Sequence, residues 1–161
     1  MYEVRAATTV DAHEVQNIFS MCIANADWLP EQARASLDFA HSSVGEVVHV
    51  AAARDGEVLG FVSVQTTDSF VHHLYVRPDV RSRGVGRLLL SSLEPWLTTP
   101  WRLKCVRANR RALAFYIGLG WREVASGESA DGPYAVLEWP SPNTTVSADA
   151  PTVARPLPFI R

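Results

Sequence analysis

Residues 81–87, Arg81-Ser82-Arg83-Gly84-Val85-Gly86-Arg87, put three guanidinium groups and two glycines into one short segment. Guanidinium matches the oxygens of a phosphate through paired N–H bonds. Glycine has no Cβ, so a phosphate can approach its backbone closely. Leu74-Tyr75-Val76 ahead of the segment reads as the end of a strand, and Leu88-Leu89-Leu90 after it reads as a helix. A helix N-terminus carries unpaired amides and a partial positive charge, both of which attract anions. The chemistry indicated is phosphate or pyrophosphate binding. A plain glycine turn before a core helix, with its arginines solvated, uses the same residues. Two common nucleotide loops do not fit, because Leu89 stands where a third glycine is needed and no Gly-Lys-Ser/Thr follows.

Other side chains offer proton chemistry. Tyr116 carries a hydroxyl that stays protonated at neutral pH and can donate, although packing beside Phe115 would equally explain it. An imidazole titrates near neutrality, and His72 and His73 are adjacent in a predicted strand. Strand alternation sends His72 to the face of Phe70, Leu74 and Val76 and His73 to the other face, so the pair is not expected to share a metal. Cys22 and Cys105 show neither C-x-x-C spacing nor a zinc-type histidine partner, so they read as reduced thiols and no metal is expected. Cys105 reads as a small core residue sooner than as an acyl-accepting nucleophile. Asn109 has the chemistry of a helix cap.

The elements that must hold these groups follow from periodicity. Residues 2–7 read as a strand, and Asp11 with Glu14 three residues on forms a capping-box pattern that opens a helix to about Ala24. Val15, Ile18, Phe19 and Cys22 share its buried face. Pro30 suits the first turn of a second helix over residues 31–40. Residues 46–54 and 57–65 flank the hairpin turn Asp55-Gly56, and residues 70–76 add a third strand that Pro78 ends. A helix over residues 87–96, a strand at 101–106, a helix at 110–119 stopped by Gly120, and strands at about 121–125 and 134–139 complete the chain. The order β αα βββ α β α ββ belongs to a mixed α+β domain around one sheet.

The length of 161 residues and the 47% hydrophobic content suit one core. Residues 1–140 form that domain, and residues 141–161, rich in proline, serine, threonine and alanine, read as an extended tail. The tail would cover a surface or pair with a second subunit in a homodimer. A net charge of −2 supplies no general attraction to nucleic acid or to an anionic membrane, so neither is expected as a partner. No stretch approaches the roughly 20 apolar residues of a membrane span, and the reduced thiols fit the cytoplasm.

Arg81, Gly84 and Gly86, following the strand end Leu74-Tyr75-Val76, resemble the pyrophosphate loop of the GNAT superfamily of N-acetyltransferases, which reads Q/R-x-x-G-x-G/A after L-x-V. Asn109, Ala112, Phe115-Tyr116 and Gly120-Trp121 resemble the same family's N-x-x-A-x-x-F/Y-Y-x-x-x-G-F segment. The similar region covers residues 58–139, and the upstream order of elements agrees with it. The resemblance implies a mixed α/β fold with a central, mostly antiparallel twisted sheet of six to seven strands and about four helices. It implies transfer of an acetyl group from acetyl-coenzyme A to a primary amine, on a small molecule or a protein, within a ternary complex. By position, backbone groups of Leu74, Tyr75 and Val76 would hold the pantetheine arm. The amides of Ser82, Arg83, Gly84, Val85, Gly86 and Arg87, with the Arg81 side chain, would hold the pyrophosphate, and Asn109 would touch the arm. Tyr116 would protonate the departing thiolate. Members with a glutamate base on the strand after the loop helix differ from this chain, which has Lys104 there, so His72 is the expected base, directly or through water. Trp28 and the segment after the first helix are expected to border the acceptor site. The alternatives are a non-catalytic acyl-coenzyme A sensor or interaction module, and an enzyme using a longer acyl donor.

Overall fold

The computed structural model describes residues 1–34 and 38–140. Its strands are β1 (Glu3–Ala6), β2 (Val47–Ala52), β3 (Val58–Gln65), β4 (Phe70–Val76), β5 (Trp101–Val106), β6 (Arg122–Ser129) and β7 (Gly132–Trp139). Its helices are α1 (Ala12–Ala24), α2 (Phe39–Ser42), α3 (Val85–Ser91) and α4 (Arg110–Gly118). All seven strands lie in one sheet in the order β1-β2-β3-β4-β5-β7-β6. The tail over residues 141–161 and residues 35–37 lie outside the described residues. No described helix is long and apolar enough to cross a membrane.

Each sheet face buries its own core. On one face Val15, Ile18 and Phe19 of α1 and Phe39 of α2 pack on Val50, Phe61 and Tyr75. On the other, Val85 and Leu89 of α3 and Tyr116 of α4 pack on Val62, Leu74, Val76 and Leu103. Fully burying one such side chain contributes about 1.5–3 kcal/mol, so the two layers clamp the strands between them.

The sheet consists of two antiparallel halves, β1 to β4 and β5-β7-β6, joined by the parallel pair β4 and β5. That junction is short. Phe70 pairs with Arg102, and the Arg102 N–H donates to the Ser69 carbonyl at 3.1 Å. Past this point β4 continues to Val76 and β5 to Val106 without ladder pairing between them. Arg77 N–H donates to Leu59 O at 2.8 Å, which sets the register of β4 on β3. Backbone groups of alternate residues point to opposite edges, so Leu74 and Val76 turn theirs away from β3 and toward the opening.

Several boundaries differ from expectation, each for a local reason. Asp11 does not cap α1 through its side chain, because its carboxylate is taken by Arg5 at 2.7 and 2.9 Å and by the Thr8 N–H at 2.8 Å. Those bonds start a 3₁₀ turn at Thr9–Asp11 one turn before the helix. The expected second helix over residues 31–40 is a 3₁₀ turn at Glu31–Arg34 and a separate α2, which Asp38 caps by accepting from Ala40 N–H at 3.0 Å. Helix α3 ends at Ser91, short of Trp96.

Candidate active site

The loop after β4 turns on two left-handed residues, Ser82 at φ 63° and Gly84 at φ 85°. A Cβ on Gly84 would meet nothing within 4 Å, so conformation alone requires glycine there. Gly86 is different: its Cβ would lie 3.3 Å from Phe115 Cζ and 3.7 Å from Val76 Cγ2. It lets the first turn of α3 sit against β4 and α4. Arg83 and Arg87 are exposed beside the helix start. Arg81 turns inward, with Nε 3.3 Å from Val76 O and a terminal nitrogen 3.6 Å from Cys22 Sγ. Cys22 Sγ also donates to Val76 O at 3.5 Å, so side chains occupy the carbonyl that β5 leaves unpaired.

Where the strands part, a cavity of about 330 Å³ opens, lined among others by Cys22, Trp28, Tyr75, Arg81 and Asn109. Three expected cofactor contacts and the expected acceptor-side Trp28 therefore share one space. The Tyr75 hydroxyl is buried without a hydrogen-bond partner. Burial, with smaller contributions from Cys22 and Tyr116, pushes this phenol well above its usual range, so it remains a donor. An orphaned buried hydroxyl costs about 1–3 kcal/mol, and a ligand that accepts a bond from it recovers that cost. The residues present thus fit a ligand with a polar arm. Asn109 Oδ1 accepts from Ala112 N–H at 3.3 Å, so Asn109 also caps α4.

Tyr116 is fully buried, with its ring 5.5 Å from Trp121 and 5.2 Å from Phe115. It lies in the α3-side core, close enough to Tyr75 for the two phenols to influence each other electrostatically. Tyr116 packs against the sheet and is not among the residues that line the cavity. Leu74 is likewise in this core. Cys105 is fully buried, and burial carries its thiol up to about 12, which leaves it protonated and unreactive at neutral pH.

The histidine pair departs from strand alternation. Ser63 pairs with His73 and Val64 with Val71, so His72 is the extra residue of a β-bulge. The bulge brings the rings together, with centroids 4.4 Å apart, and aims both at Glu46. His72 does not share the face of Leu74 and Val76, and the two histidines do not diverge as the spacing implied. Glu46 lies just before β2 with its side chain 2% exposed. His72 Nδ1 bonds to its Oε1, Ser63 Oγ donates to Oε2 at 2.8 Å, and His73 Nδ1 stands 3.6 Å from Oε2. Burial pushes the Glu46 carboxyl up, but the bond from His72 and the nearness of His73 outweigh it, so the group is held low and ionised. Burial lowers His73 toward its neutral form despite Glu46. Among the described residues these three are the one group of donors placed to hold a metal ion, all within 4.8 Å of one another. Nitrogen and carboxylate ligands suit a divalent transition metal.

Sequence reasoning missed Glu46 because nothing local marks it: its partners arrive from 17 and 26 residues away. Lys104, where the family's acid was sought, is buried with its ammonium 4.8 Å from the Tyr134 ring centroid.

Residues 12–121 match the Acetyltransferase (GNAT) family. The chain belongs to this family. Apo YjaB from Escherichia coli has a similar structure, with a TM-score of 0.73 at 20% identity over 88% of this chain and 99% of that one. The yncA protein of Salmonella typhimurium, solved with its cofactor acetyl-CoA, gives 0.65 at 18% identity over 93% and 99%. The ribosomal-protein-S18-alanine N-acetyltransferase of Escherichia coli gives 0.62 at 21% over 86% and 92%. Comparison with curated protein sequences finds no significant match. The seven-stranded, mostly antiparallel sheet with four helices is the GNAT fold, and in this chain β4 and β5 part beyond the Phe70–Arg102 pair.

Proposed function

We propose that this GNAT acetyltransferase moves an acetyl group from acetyl-CoA to a primary amine, by direct transfer in a ternary complex. The observation that carries the reading is the cavity at the β4–β5 opening, where Tyr75, Arg81 and Asn109 meet Trp28 beside the arginine loop. Bound acetyl-CoA supplies a thioester carbonyl, which the amine nitrogen attacks as the C–S bond breaks. Leu74 and Val76 offer backbone groups along the opening, and the loop amides with Arg81, Arg83 and Arg87 offer anion contacts. A typical alkyl ammonium has a pKa near ~10, so its proton must be removed before attack. His72 takes that proton, directly or through water. Tyr116 gives one to the coenzyme A thiolate. The protonated, buried Cys105 supports direct transfer over an acyl-enzyme route.

The test is acceptor-dependent thiol release from acetyl-CoA across a panel of amines, amino acids, polyamines and peptides. Turnover is expected with at least one acceptor, with Tyr116→Phe lowering kcat roughly 10²-fold. Tight acetyl-CoA binding without turnover on any acceptor would favour a non-catalytic sensor, and preference for a longer acyl-CoA would change the donor.

A further inference from the structure

Buried polar groups almost always have hydrogen-bond partners, so one that has none asks for a physical reason. His73 Nδ1 is such an atom: the side chain is 1% exposed, and this nitrogen has no hydrogen-bond partner. The ring cannot turn toward water, because Phe19 and Phe39 press on it with centroids 5.8 and 5.2 Å away. What the nitrogen faces is the Glu46 carboxylate, 3.6 Å from Oε2 and too far for a hydrogen bond. His72 Nδ1 meets the other oxygen, brought there by the bulge in β4. Two imidazoles and a carboxylate thus converge on one spot, with a donor atom from each within 4.8 Å of the others. Around a tetrahedral zinc ion with bonds of about 2.0–2.1 Å, neighbouring ligand atoms stand roughly 3.3 Å apart. The separation of His73 and Glu46 is close to that, and it suits a cation between them better than a shared hydrogen. Ser63 Oγ, donating to Oε2 at 2.8 Å, orients the carboxylate as the outer partners of metal ligands do. The His72 side chain, 12% exposed against 2% for Glu46, marks the side from which an ion enters.

We propose that Glu46, His72 and His73 form a binding site for a divalent transition-metal ion, zinc foremost, with a fourth position left to water. Calcium and magnesium do not suit it, since they take six or more ligands that are nearly all oxygen. The ion replaces the hydrogen between His72 Nδ1 and Glu46 Oε1, and it satisfies the His73 nitrogen that the folded chain otherwise leaves bare. The site goes beyond the acetyl-transfer reading and does not depend on it. The two meet only at His72. A neutral imidazole has one unprotonated nitrogen, and an ion that takes it leaves none to accept the amine's proton. Where His72 serves as the base, the ion-free chain is therefore the active one.

Two measurements on the full chain, stripped of metal by a chelator, test this with zinc chloride as the probe. By equilibrium dialysis the wild type is expected to hold one ion per chain with a Kd of about 1 µM or below. Glu46→Gln and His72→Ala are expected to weaken binding on the order of 100-fold, and Ser63→Ala, which touches the carboxylate but not the ion, about 10-fold. In ¹⁵N spectra of histidine-labelled wild type, zinc is expected to move the Nδ1 signals of His72 and His73 and to leave the other three of the five histidines in place. Failure to bind one ion at that affinity overturns the proposal. So does equal binding by wild type and the folded ligand variants, or movement of His13, His41 or His49 instead of the pair. Glu46→Gln keeps the size of the side chain, and circular dichroism reports whether each variant is folded. Should the variants unfold, the wild-type spectra decide alone. Neither readout needs turnover, so the two readings fail separately. Zinc bound at this pair in a chain that acetylates no acceptor leaves the site standing, whereas acetylation by a chain that binds no zinc overturns the site and not the enzyme reading.

Discussion

Arg5 and Asp11 show how one buried charge can organise a chain entry. Asp11 is 4% exposed and binds Arg5 through both carboxylate oxygens, while Thr8 gives it a backbone and a hydroxyl bond. The bond from Arg5 outweighs desolvation and holds the Asp11 carboxyl well below the usual carboxylate range. A depressed carboxyl contributes stability above its unfolded pKa, near ~3.9, and loses it as pH falls through the folded value. Asp11→Asn is therefore expected to destabilise the fold by about 1.5–3 kcal/mol at pH 7 and to narrow the gap from wild type in acid. Urea melts at pH 7 and pH 3 check this, and an equal gap at both would count against it. The residue scale also shows what sequence could and could not reveal. Tyr75 and Arg81 belong to one contiguous motif and Asn109 to a second, which is why the sequence alone marks them as candidates. Glu46 is not marked in this way, because its meaning depends on His72 and Ser63 arriving from two other strands. The helix cap at Asp11 was misread for the same reason: the pattern is local, but Arg5 claims the side chain from the neighbouring strand.

At the scale of elements, β4 carries most of the site, and its two neighbours treat it differently. On one side β3 pairs with it along its length, with Gly60 opposite Val76. A Cβ on Gly60 would lie 2.7 Å from Tyr75 O and 3.2 Å from Val76 Cα, contacts with backbone that cannot swing aside. Gly60→Ala is thus expected to push β4 toward the opening and destabilise by about 1–3 kcal/mol, as overpacking does. It should weaken acetyl-CoA binding too. Gly84→Ala gains no clash but must hold φ near 85°, at roughly 1–2 kcal/mol. Thermal melts and acetyl-CoA titrations separate the two, and normal binding by a folded Gly60→Ala would count against the role given to β4. Strand positions were readable because β-branched runs and the Asp55-Gly56 turn are local signals. The His72 bulge was not readable, since period-two alternation cannot show where one strand gains a residue relative to its partner. The second helix was overextended because Pro30 marks a start, while the stop depends on Asp38 beginning a new cap.

The whole molecule is two antiparallel half-sheets held together by one short parallel contact, with a helical layer on each face. This arrangement follows from the chain order: β4 and β5 are linked through the loop and α3, so they run parallel, and each can satisfy its other edge with an antiparallel neighbour. Nothing in the ladder then forces their far ends together, and the opening persists with Val76 O held by Cys22 and Arg81. A ligand that bonds to Leu74 and Val76 would act as the missing strand. Acetyl-CoA is therefore expected to stabilise the fold as a bridge between the halves, by about 2.7 kcal/mol at a concentration 100 times its Kd. Hydrogen exchange should report where: the amides of Leu74 and Val76 slow on binding, along with those of residues 82–87, while the β6–β7 hairpin changes little. Arg81→Ala removes a guanidinium from the junction of loop and seam, and is expected to weaken acetyl-CoA about 10- to 100-fold, the equivalent of losing one charged hydrogen bond. The slowing at Leu74 and Val76 should then return at higher ligand. If saturating acetyl-CoA protects the loop but leaves the β4 amides exchanging at their original rate, the seam is not where the cofactor arm lies, and the site must be sought on the outer face of α3.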